Sequence, residues 1–159
     1  VWQCILTNKL DNMVKIINTG QINVNDPISP VQIRALHLAC AKDWADFVRA
    51  LLDLGADPNE IEQTGKTALH VAASESRESD EILQMLVDKG ASIDPKTIGG
   101  ETPLMKALYF GRPYAVKFLL ENGASVTEVN AQGRTIKDYA LATRDEAIIG
   151  IVRTFIPSL

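Results

Sequence analysis

Four times along the chain an apolar residue is followed by two more at +3 and +4 and then, three residues later, by glycine. The copies are Met13/Ile16/Ile17/Gly20, Val48/Leu51/Leu52/Gly55, Leu83/Leu86/Val87/Gly90 and Val116/Leu119/Leu120/Gly123. The glycines step by 35, 35 and 33 residues, and a fixed period of this size predicts a stack of repeats. Each repeat in such a stack has a face it cannot bury alone and covers it with its neighbours. Apolar residues at i, i+3 and i+4 form one stripe on a helix, and a glycine just beyond supplies the left-handed residue that ends it. A stack built this way is a surface for holding something, so the functional question moves from catalysis to recognition.

A second signal sits upstream of the helices in the later copies: Gly65-Lys66-Thr67-Ala68-Leu69-His70, Gly100-Glu101-Thr102-Pro103-Leu104-Met105 and, weakened, Arg34-Ala35-Leu36-His37. Glycine marks a turn, threonine caps a helix, and proline suits the first helical turn. Each unit therefore reads as turn, short helix, longer helix, glycine stop.

These motifs resemble the ankyrin repeat family. Its signature, Thr-Pro-Leu-His-x-Ala at a spacing of about 33 residues, is matched with one change by Thr67-Ala68-Leu69-His70-Val71-Ala72. The tails Gly55-Ala56-Asp57-Pro58-Asn59, Gly90-Ala91-Ser92-Ile93-Asp94 and Gly123-Ala124-Ser125-Val126-Thr127 resemble the family's Gly-Ala-Asp-Val-Asn segment. The resemblance covers essentially the whole chain. It implies an all-α solenoid of about four and a half helix-turn-helix repeats with hairpin-like tips. The expected units are a partial N-terminal repeat at 1–28, repeats at 29–61, 62–96 and 97–129, and a C-terminal capping repeat at 130–159.

The chain also departs from the family pattern. Arg34 stands where the family has threonine, Gln32 where it has the turn glycine, and Met105 and Asp138 where it has histidine. Repeat three is two residues longer between its helices, since Leu69 to Gly90 spans 21 residues whereas Leu36 to Gly55 and Leu104 to Gly123 each span 19. The surplus falls in Ser74-Glu75-Ser76-Arg77-Glu78-Ser79-Asp80-Glu81. It reads as either an extended helix turn or a protruding loop.

The chain has 159 residues, 46% hydrophobic and 23% charged, and carries no run of roughly eighteen apolar residues that would cross a membrane. Its net charge of −4, with basic residues scattered among acids, argues against nucleic acid, which needs a clustered positive face. Cys4 and Cys40 lie in apolar or small-residue runs and read as buried free thiols, which suggests an intracellular compartment, cytoplasmic or nuclear. His37 and His70 occupy one motif position in adjacent repeats. A metal site there would need further ligands, and none is evident. The resemblance implies instead that this histidine ties the turn of one repeat to its neighbours. No phosphate loop, nucleophile elbow or catalytic carboxylate pair is visible, so neither enzyme activity nor a cofactor is expected.

In ankyrin stacks the partner usually meets the concave side, formed by the turn tips and the exposed face of each first helix. Carried onto this sequence, the tips are Pro30, Val31 and Ile33, then Gln63, Thr64 and Lys66, then Ile98 and Glu101, then Gln132 and Arg134. The helix positions are Ala41 and Lys42, Ser74 and Glu75, Tyr109 and Phe110, Ala142 and Thr143. Tyr109 and Phe110 stand out, because aromatic side chains supply much contact area at modest entropy cost; packing against repeat three is the competing role. Val31, Ile33 and Ile98 add apolar tips that either bind or cover their own turns. Lys42, Lys66, Glu75, Glu101 and Arg134 form the expected charged rim. Trp44, between the helices of repeat two, either packs on its neighbour or makes a second contact, and Trp2 covers the end of the core or meets a further segment.

The expected function is a non-catalytic module that binds a partner protein or peptide. The alternative is a regulatory or substrate-positioning domain of a larger enzyme or channel, and the opening on Val1, within an expected helix, fits a piece of a longer chain. Asn59 lies in a context similar to that of ankyrin asparagines that are hydroxylated, though a turn asparagine bonding its own backbone explains it as well. Ser74, Ser76 and Ser79 lie among acids that suit phosphorylation, or simply a solvated bulge.

Overall fold

A computed structural model describes residues 10–20, 23–28, 34–75 and 81–157. Among them nine helices follow one another: α1 (Leu10–Asn18), α2 (Ala35–Ala41), α3 (Ala45–Asp53), α4 (Ala68–Glu75), α5 (Glu81–Asp88), α6 (Pro103–Tyr109), α7 (Pro113–Glu121), α8 (Ile136–Thr143) and α9 (Glu146–Phe155). Beyond a single bridge between Val129 and Thr135, the described residues contain no strand. The architecture is all-α.

The glycine stops work as the sequence predicts. Gly55, Gly90 and Gly123 take φ of +88°, +88° and +83°, and the turn closes with two hydrogen bonds of the Schellman type. At the end of α3 they run from Ala56 N–H to Leu51 C=O (2.9 Å) and from Gly55 N–H to Leu52 C=O (3.1 Å). The ends of α5 and α7 repeat this pair at Ala91/Leu86 and Ala124/Leu119. Ala56, Ala91 and Ala124 are buried, so the recurring Gly-Ala dipeptide is a helix stop with its apolar contact attached.

The helices form two rows. In the front row α2, α4, α6 and α8 pack each on the next; in the back row α3 packs on α5 and α7 on α9. Between and within the rows lies one continuous apolar core, in which Leu51, Leu69, Leu83, Leu86, Leu104, Leu108 and Leu119 are fully buried. Each such side chain contributes about 1.5–3 kcal/mol relative to exposure, which helices of seven to ten residues need, being too short to persist alone. At the long repeat α4 extends to Glu75, one residue beyond the seven of α2 and α6. Arg112, at the start of α7, donates its Nε–H to Ser74 C=O at 2.8 Å and draws α7 onto α4. Residues 76–80 of the surplus segment lie outside the described residues.

Opposite the Gly-Ala stops, the chain turns back before α4, α6 and α8. Glu62–Gly65, Thr97–Gly100 and Asn130–Gly133 are each closed by a hydrogen bond from the glycine N–H to the first carbonyl, at 2.9, 2.8 and 3.0 Å. Adjacent tips are joined by backbone: Ile98 N–H donates to Thr64 C=O (3.0 Å) and Ala131 N–H to Gly99 C=O (2.9 Å). The approach is so close that a Cβ on Gly65 or Gly100 would stand 2.9 Å from the donor nitrogen of the next tip.

A third tie runs through the loops after the back helices. Asn59 Nδ2–H donates to Gly90 C=O (2.9 Å) while its Oδ1 accepts from Ser92 N–H (2.8 Å). Asn25 does the same to Gly55 and Asp57 one repeat earlier. Asp94, the third in register, accepts from Ser125 N–H but has no amide to donate.

Candidate binding face

The tips and the front helices are held in register by side chains reaching about one repeat ahead. His70 Nδ1 accepts from Thr67 N–H (3.1 Å), which places the proton on Nε2, and Nε2–H donates to Glu101 C=O of the next tip at 3.0 Å. Burial drives the His70 pKa down to about 4, so the ring is a neutral structural link. His37 makes the same link to Lys66 C=O at 3.0 Å, and burial lowers its pKa too. Its Nδ1, however, is buried without a hydrogen-bond partner; Arg34 lacks the hydroxyl that Thr67 sets 3.0 Å from His70 Nδ1.

Arg34 has taken on other work. Its guanidinium donates to Asn25 C=O (3.1 Å) and to Ile61 C=O and pairs with Glu60 at 2.8 Å, clamping two loop segments together. In repeat four, Met105 is buried where histidine is expected, and Thr102 caps α6 by accepting from Met105 N–H at 3.3 Å. The tie to the last unit passes through Glu101 instead. Its carboxylate pairs with Lys106 and accepts from Tyr139 O–H (3.1 Å), and that hydroxyl accepts from Asn130 Nδ2–H (2.9 Å). Burial raises the Tyr139 pKa, with Glu101 adding to the rise. Asp138 forms a capping box with Thr135, accepting from its N–H and its hydroxyl, both at 2.8 Å; the backbone bond is the main cause of its lowered pKa.

Two clefts open between front helices. The larger, about 490 Å³, lies between α6 and α8 and is lined by Leu108, Tyr109, Arg134, Asp138, Tyr139, Ala142 and Thr143. The smaller, about 240 Å³, lies between α2 and α4 and is lined by His37, Leu38, Ala41, Glu62, Lys66, Val71, Ser74 and Glu75. Tyr109 is 65% exposed and Phe110 45%, and their rings meet edge to face with centroids 5.1 Å apart.

The expected binding residues divide between these clefts, the open surface and the chain's own packing. Tyr109 and Arg134 meet in the larger cleft with Ala142 and Thr143; Lys66 and Glu75 meet in the smaller with Ala41 and Ser74. Lys42, Gln63, Ile98 and Gln132 are exposed, Ile98 to 79%. Glu101, by contrast, is half-buried and engaged with its own chain. Ser74 is buried at 8%, its hydroxyl donating to Val71 C=O and its own carbonyl accepting from Arg112. Trp44 is half-buried, with its ring 5.4 Å from that of Phe47, and packs against the core. Val31 and Ile33 lie outside the described residues, as do Pro30, Gln32, Trp2, Cys4, Ser76 and Ser79.

The structure adds what the sequence reading passed over. Tyr114, at the start of α7, is 59% exposed, and Ile61 and Val129 stand half-exposed just before their tips. All three are legible as apolar residues on expected turns or helix starts. Cys40 is buried, and burial pushes its thiol pKa up, away from nucleophilic chemistry. Among the described residues no group of three His, Cys, Asp or Glu side chains could hold a metal, and no helix is long and apolar enough to cross a membrane.

Two family models match the chain: one described as ankyrin repeats in three copies, over residues 2–97, and one as an ankyrin repeat, over residues 99–132. Similar curated proteins include "Glycerophosphocholine phosphodiesterase gde1" of Schizosaccharomyces pombe, 33% identical over 116 residues that make up 72% of this chain and 10% of the relative. "Protein phosphatase 1 regulatory subunit 12A" of Mus musculus is 36% identical over 88 residues, 55% of this chain and 8% of that one. "Ankyrin repeat and SOCS box protein 6" of Homo sapiens is 29% identical over 137 residues, 82% and 32%. The matched stretch thus spans about a third of the longest-covered of these relatives and about a tenth of the other two.

Proposed function

The chain belongs to the ankyrin repeat family, and from that premise we propose that it is a non-catalytic interaction module binding a partner protein or peptide on the face formed by its tips and front helices. Repeats of this family are protein-interaction modules, and relatives of this chain include a protein named as a phosphatase regulatory subunit. The observation that carries the reading is the α6–α8 cleft, which the exposed Tyr109 lines together with the small residues Ala142 and Thr143. An exposed aromatic beside a cavity supplies anchoring area that a solvated helix end does not need. The partner is a protein rather than a nucleic acid, and the module works inside the cell without a cofactor.

The test is affinity capture from native lysate with the parent chain and a Tyr109→Ala/Phe110→Ala variant whose fold is checked by circular dichroism. A partner kept by the parent and lost by the folded variant is the expected result. Equal capture by both would move the site off repeat four.

A second reading rests on the relatives' sizes. The matched stretch is about a tenth of a protein named as a phosphodiesterase, which favours a regulatory or substrate-positioning domain of a larger enzyme. A transcript that runs on into a catalytic domain would favour it; a short one would count against it.

A further inference from the structure

We propose that the bond between Asn122 and Gly123 is a site of spontaneous covalent modification, closed while α7 keeps its glycine stop and open once that end unwinds. It lies at the end of a back-row helix and owes nothing to what the front row binds.

When glycine follows asparagine, the backbone nitrogen reaches the preceding side chain with no side chain of its own in the way. Gly123 N attacks Asn122 Cγ; the N–Cγ bond forms, the Cγ–Nδ2 bond breaks, and the Gly123 amide proton leaves with Nδ2 as ammonia. Water then opens the five-membered imide. Entry at Cγ gives aspartate, and entry at the main-chain carbonyl gives isoaspartate, whose backbone runs through the side chain. Every other asparagine of the chain is followed by a residue that carries a side chain. The place before the stop glycine is taken by Thr19, Leu54, Lys89 and Asn122 in the four copies, so this stop alone holds an amide.

The fold closes the site in three ways. Asn122 has ψ of 16°, which nearly eclipses Gly123 N with Asn122's own nitrogen, whereas ring closure needs it eclipsed with Cβ. Gly123 N–H donates to Leu120 C=O at 3.1 Å. The amide that must depart is held as well, since Nδ2–H donates to Phe118 C=O at 2.9 Å. Yet Asn122 and Gly123 are both exposed, so water is at hand, and helix ends are among the first parts of a fold to open.

The products undo the stop. A carboxylate at position 122 has no hydrogen to give to Phe118 C=O, and it sets a negative charge beside Glu121 at the helix end that disfavours one. Isoaspartate also lengthens the main chain by one carbon inside the turn that the Gly123–Leu120 and Ala124–Leu119 hydrogen bonds close. Two residues on, Ser125 N–H donates to Asp94, so the loosening reaches the tie between the third and fourth units. An opening of α7 thus leaves a permanent chemical mark.

The test keeps the whole chain at mildly alkaline pH, folded and in guanidinium chloride, and follows each asparagine by peptide mass mapping. Asn122 should convert at least about tenfold faster in denaturant than in the folded chain, and faster there than any other asparagine. Leu119→Ala, which removes a fully buried side chain from α7, should speed conversion without denaturant; should that variant not fold, sub-denaturing guanidinium on the parent asks the same question. Asn122→Asp, a copy of one product, should unfold at a lower denaturant midpoint. Equal rates in folded and unfolded chains, or another asparagine leading in denaturant, would overturn the site. No acceleration by Leu119→Ala or sub-denaturing guanidinium would overturn the opening of α7 as the route, and an unchanged midpoint for Asn122→Asp would overturn the loss of the stop.

Discussion

A buried imidazole that must stay neutral is a proton-sensitive fastening. The His70 pKa is brought down from 6.5 to about 4 by burial, and His37 moves the same way for the same reason. Above pH 6.5 both folded and unfolded chains carry these rings neutral, and the link from His70 to Glu101 C=O is fully available. Below it the unfolded chain takes up protons first. Stability should fall as pH drops from 6.5 toward 4, by up to about 3 kcal/mol for His70. Urea midpoints measured across that range should show the slope, and His70→Asn should flatten it; an unchanged slope would remove His70 as its source. The residue scale is also where sequence reading ran short. Arg34 was visible as a departure from threonine, but its bonds to Asn25, Glu60 and Ile61 bridge up to 27 positions. Nothing in a local motif announces such partners.

At the scale of elements, much was legible. Helix ends were readable because each is written in a glycine that must take positive φ, and the front-row register followed from the Leu-His pairs at a fixed offset. Ser74 reads as solvated by that same register, yet it is buried at 8%, with its hydroxyl turned back to Val71 C=O and its own carbonyl held by Arg112. Tip glycines look alike in sequence yet differ in what a methyl group would meet. A methyl carbon on Gly100, at φ +72°, would stand 2.9 Å from the Ala131 nitrogen, whereas one on Gly133, at φ +74°, would have nothing within 4 Å. Alanine at either site carries the left-handed penalty, about 1–2 kcal/mol. Gly100→Ala must also push the next tip away, and should cost at least about 1 kcal/mol more than Gly133→Ala. Denaturant unfolding of the two variants decides this, and equal losses would mean that the tip-to-tip bond adds nothing.

Over the whole molecule, the front and back rows share one core, so damage at one unit is felt at the others. Leu104, fully buried in α6, is a suitable site. Leu104→Ala should cost about 2–5 kcal/mol. In a Trp2→Phe background Trp44 becomes the sole tryptophan and reports on α2 and α3, two units away. Its fluorescence midpoint should shift together with the far-ultraviolet dichroism midpoint; separation of the two curves would show that the units melt independently. Lys137 stands exposed at the register of the buried Leu69 and Leu104, so the last unit departs from the repeat pattern at that position.

The hydrogen bonds between tips have a direction. In both described joints a tip donates from its second residue to the carbonyl of the third residue in the tip before it, Ile98 to Thr64 and Ala131 to Gly99. Each of these joints is thus a plug facing one way and a socket facing the other, and the two are alike. A unit duplicated in tandem within the gene arrives with both fittings, so the molecule can lengthen or shorten by whole units without inventing a new joint. A unit laid in backwards finds a plug against a plug, which leaves one orientation open to growth.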